Sequence, residues 1–370
     1  MAGSGDGGVT PNWFASVMGT GIVAIAAAGL PVHVPGLRAA AQVVWLLAAA
    51  LLVALCVASA KQWRRARAHA ADPVMVQFYG APPMALMTIG GGTLVLGADW
   101  LGTPTAVAID VVLWTLGTVS GLVTAVAVPY RTITAGHRSP AFGGWLMPVV
   151  PPMVSAANGA LLAPHVPWGD DLRLACAAMF GASLVAAFLV IAHLWGRLFT
   201  QPPTPARLIP TLWIVLGPLG HSITAANALA DRKTALLYGL PVWGFAMLWL
   251  VLAAALTLRE RPPFGLPWWS FTFPVGTLVT GTTGLAISTG SPMLMAAALS
   301  LFCLLVGLWL TVAARTVGSV SSSRPTPADG ARPAETGEVE QGSVLRDRDS
   351  VDRRHHDPVA VDHLAAERHQ

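Results

Sequence analysis

The side chains best placed to do chemistry in this sequence are few and mild. Hydroxyls (Thr20, Thr88, Ser155, Thr224, Thr277, Thr280), the amides Asn158 and Asn227, and the imidazole of His221 stand inside long apolar stretches. The acidic residues before residue 316, such as Asp72, Asp99, Asp110, Asp231 and Glu260, fall in the N-terminus, in connections or near the ends of those stretches. Proton-coupled carriers commonly use buried carboxylates, and cation pathways use acidic rings. Neither pattern is visible. No Lys or Arg stands in the middle of a stretch, so a tight, charge-paired anion site is not expected either. Weak polar donors in an apolar tube let an anion enter without holding it, and conduction requires binding weak enough to permit exit. The same set suits a neutral solute, so alone it does not choose the anion.

Two single residues stand out. His221 reads either as a proton-sensitive or substrate-contacting group or as a hydrogen-bonded histidine packed between helices. Phe273 directly precedes Pro274, with Gly276 and Thr277 following. An aromatic ring beside a bend could seal a narrow apolar tube; it could equally be a core aromatic at a helix interface. A membrane-embedded enzyme would need a nucleophile, a metal cluster or paired acids. His165 and His193 lack partner spacing such as His-Glu-x-x-His, so no catalytic residue, metal site or cofactor is expected. Cys56, Cys176 and Cys303 all fall inside apolar stretches and read as small buried side chains.

The elements that must position these groups are membrane spans. Of 370 residues, 54% are hydrophobic and only 11% charged, where a soluble domain has about 25% charged. A span needs about 20 apolar residues. Ten are expected, at roughly 13–30, 40–60, 80–98, 106–128, 145–163, 172–194, 209–229, 235–257, 267–287 and 293–314. The expected fold is an all-α integral membrane protein. Its ten transmembrane helices form five helical hairpins, because the connections are short. The net charge of +4 does not point to nucleic acid, because the basic residues cluster in short loops as topology signals do. Loops after even-numbered spans, with Arg315, hold eleven Lys and Arg; loops after odd-numbered spans hold four, namely Arg38, Arg173, Arg232 and Lys233. Both termini are therefore expected in the cytoplasm. Residues 1–12 form a short cytoplasmic N-terminus without a basic region, so no cleavable signal is expected. Residues 13–315 form the transmembrane domain. Residues 316–370 are rich in Ser, Pro and charge, and are expected to be a disordered cytoplasmic tail.

The odd-numbered spans share a pattern with a period of roughly 60 residues, the mark of repeated helix pairs. Aligned on Pro83, Pro152, Pro218 and Pro274, each carries small and hydroxyl residues after the proline, whereas span one has Met18-Gly-Thr-Gly21, with Gly19 and Gly21 in place of a proline. Proline inside a helix removes a backbone bond and kinks it. The expected geometry is an inner ring of five kinked helices lining a path, with five straight helices of Ala, Leu and Val outside. Small residues let the inner backbones approach each other. Trp268 and Trp269 look like interfacial anchors.

Two stretches carry a resemblance. Pro11-Asn-Trp-Phe-Ala-Ser-Val-Met-Gly-Thr-Gly-Ile22 resembles the opening signature, and Trp268-Trp-Ser-Phe-Thr-Phe-Pro274 the ninth-helix signature, of the tellurite-resistance/dicarboxylate transporter (TDT) family. Bacterial TehA, the yeast malate carrier and the slow-type anion channels of plant guard cells belong to that family. The resemblance covers about residues 11–315. It implies ten helices in quasi-fivefold arrangement around a central pore, one pore per protomer, and a homotrimer in the inner or plasma membrane. It places Phe273 at the family's gating phenylalanine. It implies that the partners are a small inorganic anion or a dicarboxylate, with chloride, nitrate, malate, sulfite and tellurite as the family's range. The expected function is anion transport, channel-like or uniporter-like. The alternative is a proton-coupled C4-dicarboxylate carrier of malate type, or a sulfite or tellurite exporter.

Overall fold

The computed structural model describes residues 8–62, 64, 69–135 and 140–322. Most of the expected tail, and the basic residues Arg65, Arg67 and Arg138, lie outside the described residues. Among those described, regular structure is helical throughout, with no strand. An apolar chain in hydrocarbon must satisfy its own backbone polar groups, and a helix does so within one segment.

The main helices are α1 (Phe14–Gly29), α2 (Leu37–Lys61), α3 (Ala81–Gly92), α4 (Thr103–Thr134), α5 (Pro151–Leu162), α6 (Gly169–Thr200), α7 (Leu216–Leu229), α8 (Arg232–Glu260), α9 (Phe273–Thr289) and α10 (Pro292–Ser322). With their flanking turns, eight helical segments among the described residues are long and apolar enough to cross a membrane. The two that fall short are α5, with 12 residues, and α9, with 17.

The prolines do not act as the sequence suggested. Each odd-numbered helix is preceded by a 3-10 segment: Pro11–Trp13, Met75–Gly80, Gly143–Leu146, Ala206–Val215 and Leu266–Phe271. The α-helix begins only after it. Pro83, Pro152, Pro218 and Pro274 therefore sit in the first turn of α3, α5, α7 and α9. Amides of a first turn have no partner within the helix, so proline there removes no backbone bond. The odd elements are broken at a helix start rather than kinked in a helix interior. The even elements are not free of interior proline either, since α4 runs on through Pro129 and α8 through Pro241.

Packing separates the odd from the even helices. α1 packs against α3, α3 against α5, α5 against α7, α7 against α9, and α9 back against α1. Each odd helix also packs on the even helix that follows it. The links within these pairs are tight. Gly102 joins Leu101 to α4 at φ 77°, and Gly290 ends α9 at φ 68° in the left-handed conformation; both positive φ values are ones that glycine adopts without a Cβ penalty. Asp231 starts α8 by accepting from the Lys233 and Thr234 amides at 2.9 and 3.1 Å. Together with the Thr234 hydroxyl, these bonds hold its carboxyl below the usual carboxylate range. On the even helices Cys56 and Cys303 are exposed, contrary to expectation, and only Cys176 is buried. A helix that is apolar all round does not reveal which of its faces meets protein.

Candidate functional site

Two cavities meet at Phe273. The larger, of about 180 Å³, draws its lining from every odd helix: Ile22 of α1, Thr88 of α3, Asn158 of α5, His221 of α7 and Phe273 of α9. Its remaining polar lining is hydroxyl: Thr224, Thr280 and Thr283. The smaller, of about 30 Å³, has Met18, Met84, Val150, Gly217, Trp269 and again Phe273 in its wall. A space of that size holds a water molecule or little more. Phe273 is the first residue of α9, so the change from 3-10 to α backbone fixes the direction of its side chain. Its ring is 5% exposed and lies 5.4 Å from the His221 ring at an interplanar angle of 36°. No charged side chain lines either space.

The residues singled out in the sequence divide by position. His221 and Asn158 line the larger cavity. Asn158 donates to the Met87 carbonyl at 2.7 Å, while His221 Nδ1 is buried without a hydrogen-bond partner. Pro218 and Pro274 line the smaller cavity. Pro83 and Pro152 are buried but line neither space. Gly19, Gly21 and Gly276 are points of close helix approach. A Cβ on Gly19 would strike the Thr272 hydroxyl, one on Gly21 would lie 2.7 Å from Thr88, and one on Gly276 would lie 2.5 Å from Ile22. Thr277 is fully buried. Its hydroxyl bonds the Pro274 carbonyl at 2.7 Å and lies 3.2 Å from the carbonyls of Leu216 and Gly217, which ties α9 to α7.

The comparisons with known proteins bear on this site. The profile of the SLAC1 voltage-dependent anion channel family matches residues 8–317. The chain belongs to that family. An uncharacterized transporter of Methanocaldococcus jannaschii is 28% identical over 294 residues, which covers 74% of this chain and 82% of the relative. A sulfite efflux pump, SSU1, of Trichophyton rubrum is 26% identical over 338 residues, covering 83% and 89%. A second SSU1, from Arthroderma otae, is also 26% identical, over 342 residues and the same shares.

In this SLAC1-family protein the larger cavity presents hydroxyl, amide and imidazole groups and no fixed charge. Three residues here escaped the sequence reading. Thr283 lines the larger cavity; its one-turn spacing from Thr280 was the available signal. Trp269 is 4% exposed and lines the smaller cavity, so it is not the interfacial anchor it resembled. Asp110, expected near a span end, is 0% exposed. No sequence signal marks it, because it stands only eight residues into α4, where a span end is expected.

Proposed function

We propose that this SLAC1-family protein moves small anions along the axis of its odd-numbered helices, and that the Phe273 ring closes the path. The observation that carries this reading is that both cavities share Phe273 as a wall while their linings come from consecutive members of one closed circuit of helices. On this reading α5 and α9 also cross the membrane, extended by the segments before them. The architecture is then ten transmembrane helices as five hairpins around a pore. Each protomer has its own pore, three protomers associate, and the protein sits in the inner or plasma membrane with both termini in the cytoplasm. The lysine and arginine asymmetry supports that orientation.

The test is anion flux in proteoliposomes for wild type and Phe273→Ala, with chloride, nitrate, sulfite and malate, with and without a pH gradient. Removing a steric barrier of about 1.4 kcal/mol raises a rate tenfold, so the alanine variant should conduct roughly tenfold faster or more. A folded alanine variant that conducts no better than wild type removes Phe273 from the gate.

A second reading, proton-coupled export of sulfite, tellurite or a C4-dicarboxylate, is favoured by two observations. Relatives are named sulfite efflux pumps, and His221, the titratable group in the larger cavity, lies against the Phe273 ring. With the His221 and Phe273 rings in tilted contact, it expects saturable, gradient-dependent transport that changes its pH profile in His221→Ala. An unchanged profile in that variant takes His221 out of the coupling.

A further inference from the structure

Asp110 is the one feature of α4 that the packing of an apolar outer helix does not explain. The helix turns a buried stripe toward its neighbours: Ala106, Asp110, Trp114, Gly117, Thr118 and Gly121. Most of the polar members of this stripe are bonded. The Trp114 indole donates to the Ser155 carbonyl at 2.9 Å, and the Thr118 hydroxyl donates to that of Ser155 at 3.0 Å. Asp110 differs, because both carboxyl oxygens are sealed and neither has a hydrogen-bond partner. One of them occupies the place where a side chain on Gly90 of α3 would begin.

The surroundings supply no counter-charge. The elements packed against α4 are α3, α5, Met75–Gly80, Thr93–Gly97 and Ala98–Leu101. α3, α5 and Thr93–Gly97 contain no titratable residue. Asp99, in Ala98–Leu101, is bound by Arg38 at 2.7 Å and Gln42 at 2.8 Å. Tyr130 and Arg131 belong to the other end of α4, where Met75–Gly80 with Tyr79 also packs; Arg131 is about 30 Å from Asp110 along the helix at ~1.5 Å per residue. A buried ionised carboxylate without a protein partner is strongly disfavoured in such a place, whereas the neutral acid is tolerated. Asp110 lines neither cavity, and the ligand that a sealed, unpartnered carboxyl fits is a proton.

The position ties that proton to the cavity. Gly90 is followed by Gly91 and Gly92 and then by a π-helical turn, Thr93–Gly97. Such turns frequently occur at functional sites. On the other side of α3, a Cβ on Gly91 would lie 3.2 Å from the Asn158 amide, which lines the larger cavity. One glycine-rich segment thus lies between a sealed carboxyl and the wall of the candidate path.

We propose that Asp110 is a proton-binding site that biases the path: the protonated acid favours the arrangement with Phe273 between the cavities, and proton release to water accompanies a shift of α3 that widens it. This rests on the anion-path reading above. The sign follows from burial. The sealed arrangement takes the neutral acid, and an arrangement that admits water at Gly90 takes the carboxylate. Acid pH therefore favours the narrow state, and flux rises as pH increases.

Two measurements test it. Nitrate keeps its charge across the range, so its flux in proteoliposomes, with equal pH on both sides, reads the protein alone. Wild type should show a rise of roughly fivefold or more from acid to alkaline pH, as an ordinary two-site coupling gives. Asp110→Asn, neutral at every pH, should hold the low value throughout. Full pH dependence in Asp110→Asn, or a measurable wild-type flux that does not vary with pH, overturns the proposal. Infrared spectra of wild type at neutral pH should show the C=O band of a buried protonated carboxylic acid, lost on alkaline titration and absent from Asp110→Asn. No such band overturns it even if the variant does not assemble. If wild type passes no nitrate while the band is present, the anion-path reading fails and the proton site stands.

Discussion

The odd and even helices solve opposite problems with the same few residue types. The most apolar stretches of the α1, α3 and α7 segments are 72%, 61% and 89% buried, whereas those of α2, α4, α6, α8 and α10 are only 17–28% buried. The even helices are richer in Leu and Val and yet less covered by protein. In a bilayer the lipid tails are as apolar as leucine, so hydrophobicity does not drive helices together. Close packing of small residues and interhelical hydrogen bonds do so instead. The less apolar helices go inside because their glycines and hydroxyls find partners only there. The same hydroxyls are then available where a solute passes. The difference teaches that, in this family member, the residues that assemble the ring and the residues that line the cavity belong to the same elements.

The sharpest way to break that comparison is to add one methyl group on each side of it. A Cβ on Gly220 of α7 would run into the backbone of Thr277 and Leu278 in α9. Backbone cannot rotate aside as a side chain can. Overpacking of this kind costs about 1–3 kcal/mol, so Gly220→Ala should lower the melting temperature in detergent markedly. Gly244 of α8 has nothing within 4 Å of the same added atom, and alanine is the better helix former by roughly 0.8–1.0 kcal/mol. Gly244→Ala should therefore leave the melting temperature unchanged or raise it. Equal losses in the two variants would mean that the odd helices are not the tightly packed set.

How much of this was legible beforehand differs by feature. The all-helical membrane class followed from charge-poor stretches, and the odd-even alternation from the positions of Pro83, Pro152, Pro218 and Pro274. What those prolines do was not legible. A proline in an apolar run reads as a kink, and only the 3-10 segments before α3, α5, α7 and α9 place it in a first turn. Phe273 could be singled out because Pro274 follows it, but its place between two cavities needed the other helices. His221 and Asn158 were legible as polar groups inside apolar runs. Asp110 was not, since eight residues into a 32-residue helix looks like a span end until α3 is packed over it. Cys56 and Cys303 were misjudged for the reverse reason: no periodicity marks the lipid face of a helix that is apolar all round.

Several tryptophans join the layers. On the even helices, Trp114 donates to the Ser155 carbonyl of α5, Trp243 to the Thr282 hydroxyl of α9 at 3.1 Å, and Trp309 to the Thr20 hydroxyl of α1 at 3.1 Å. Each donor belongs to the helix paired with one odd helix and reaches the next odd helix in the circuit. The last of these bonds closes the chain on itself, from α10 to α1. Hydrogen bonds between membrane helices are worth about 0.6 kcal/mol on average, because alternative partners are available in the membrane. Thr20, whose hydroxyl can turn to a carbonyl of its own helix, should feel the loss least. Trp309→Phe keeps most of the ring and removes the donor, so its effect on melting should be slight and far below that of Gly220→Ala. A double-mutant cycle with Thr20→Val isolates the pairwise energy. A coupling well under 1 kcal/mol leaves the inner circuit as the source of stability. A coupling of several kcal/mol would show that the circuit depends on its outer layer for closure, and the contrast between the two sets of helices would then be one of composition only.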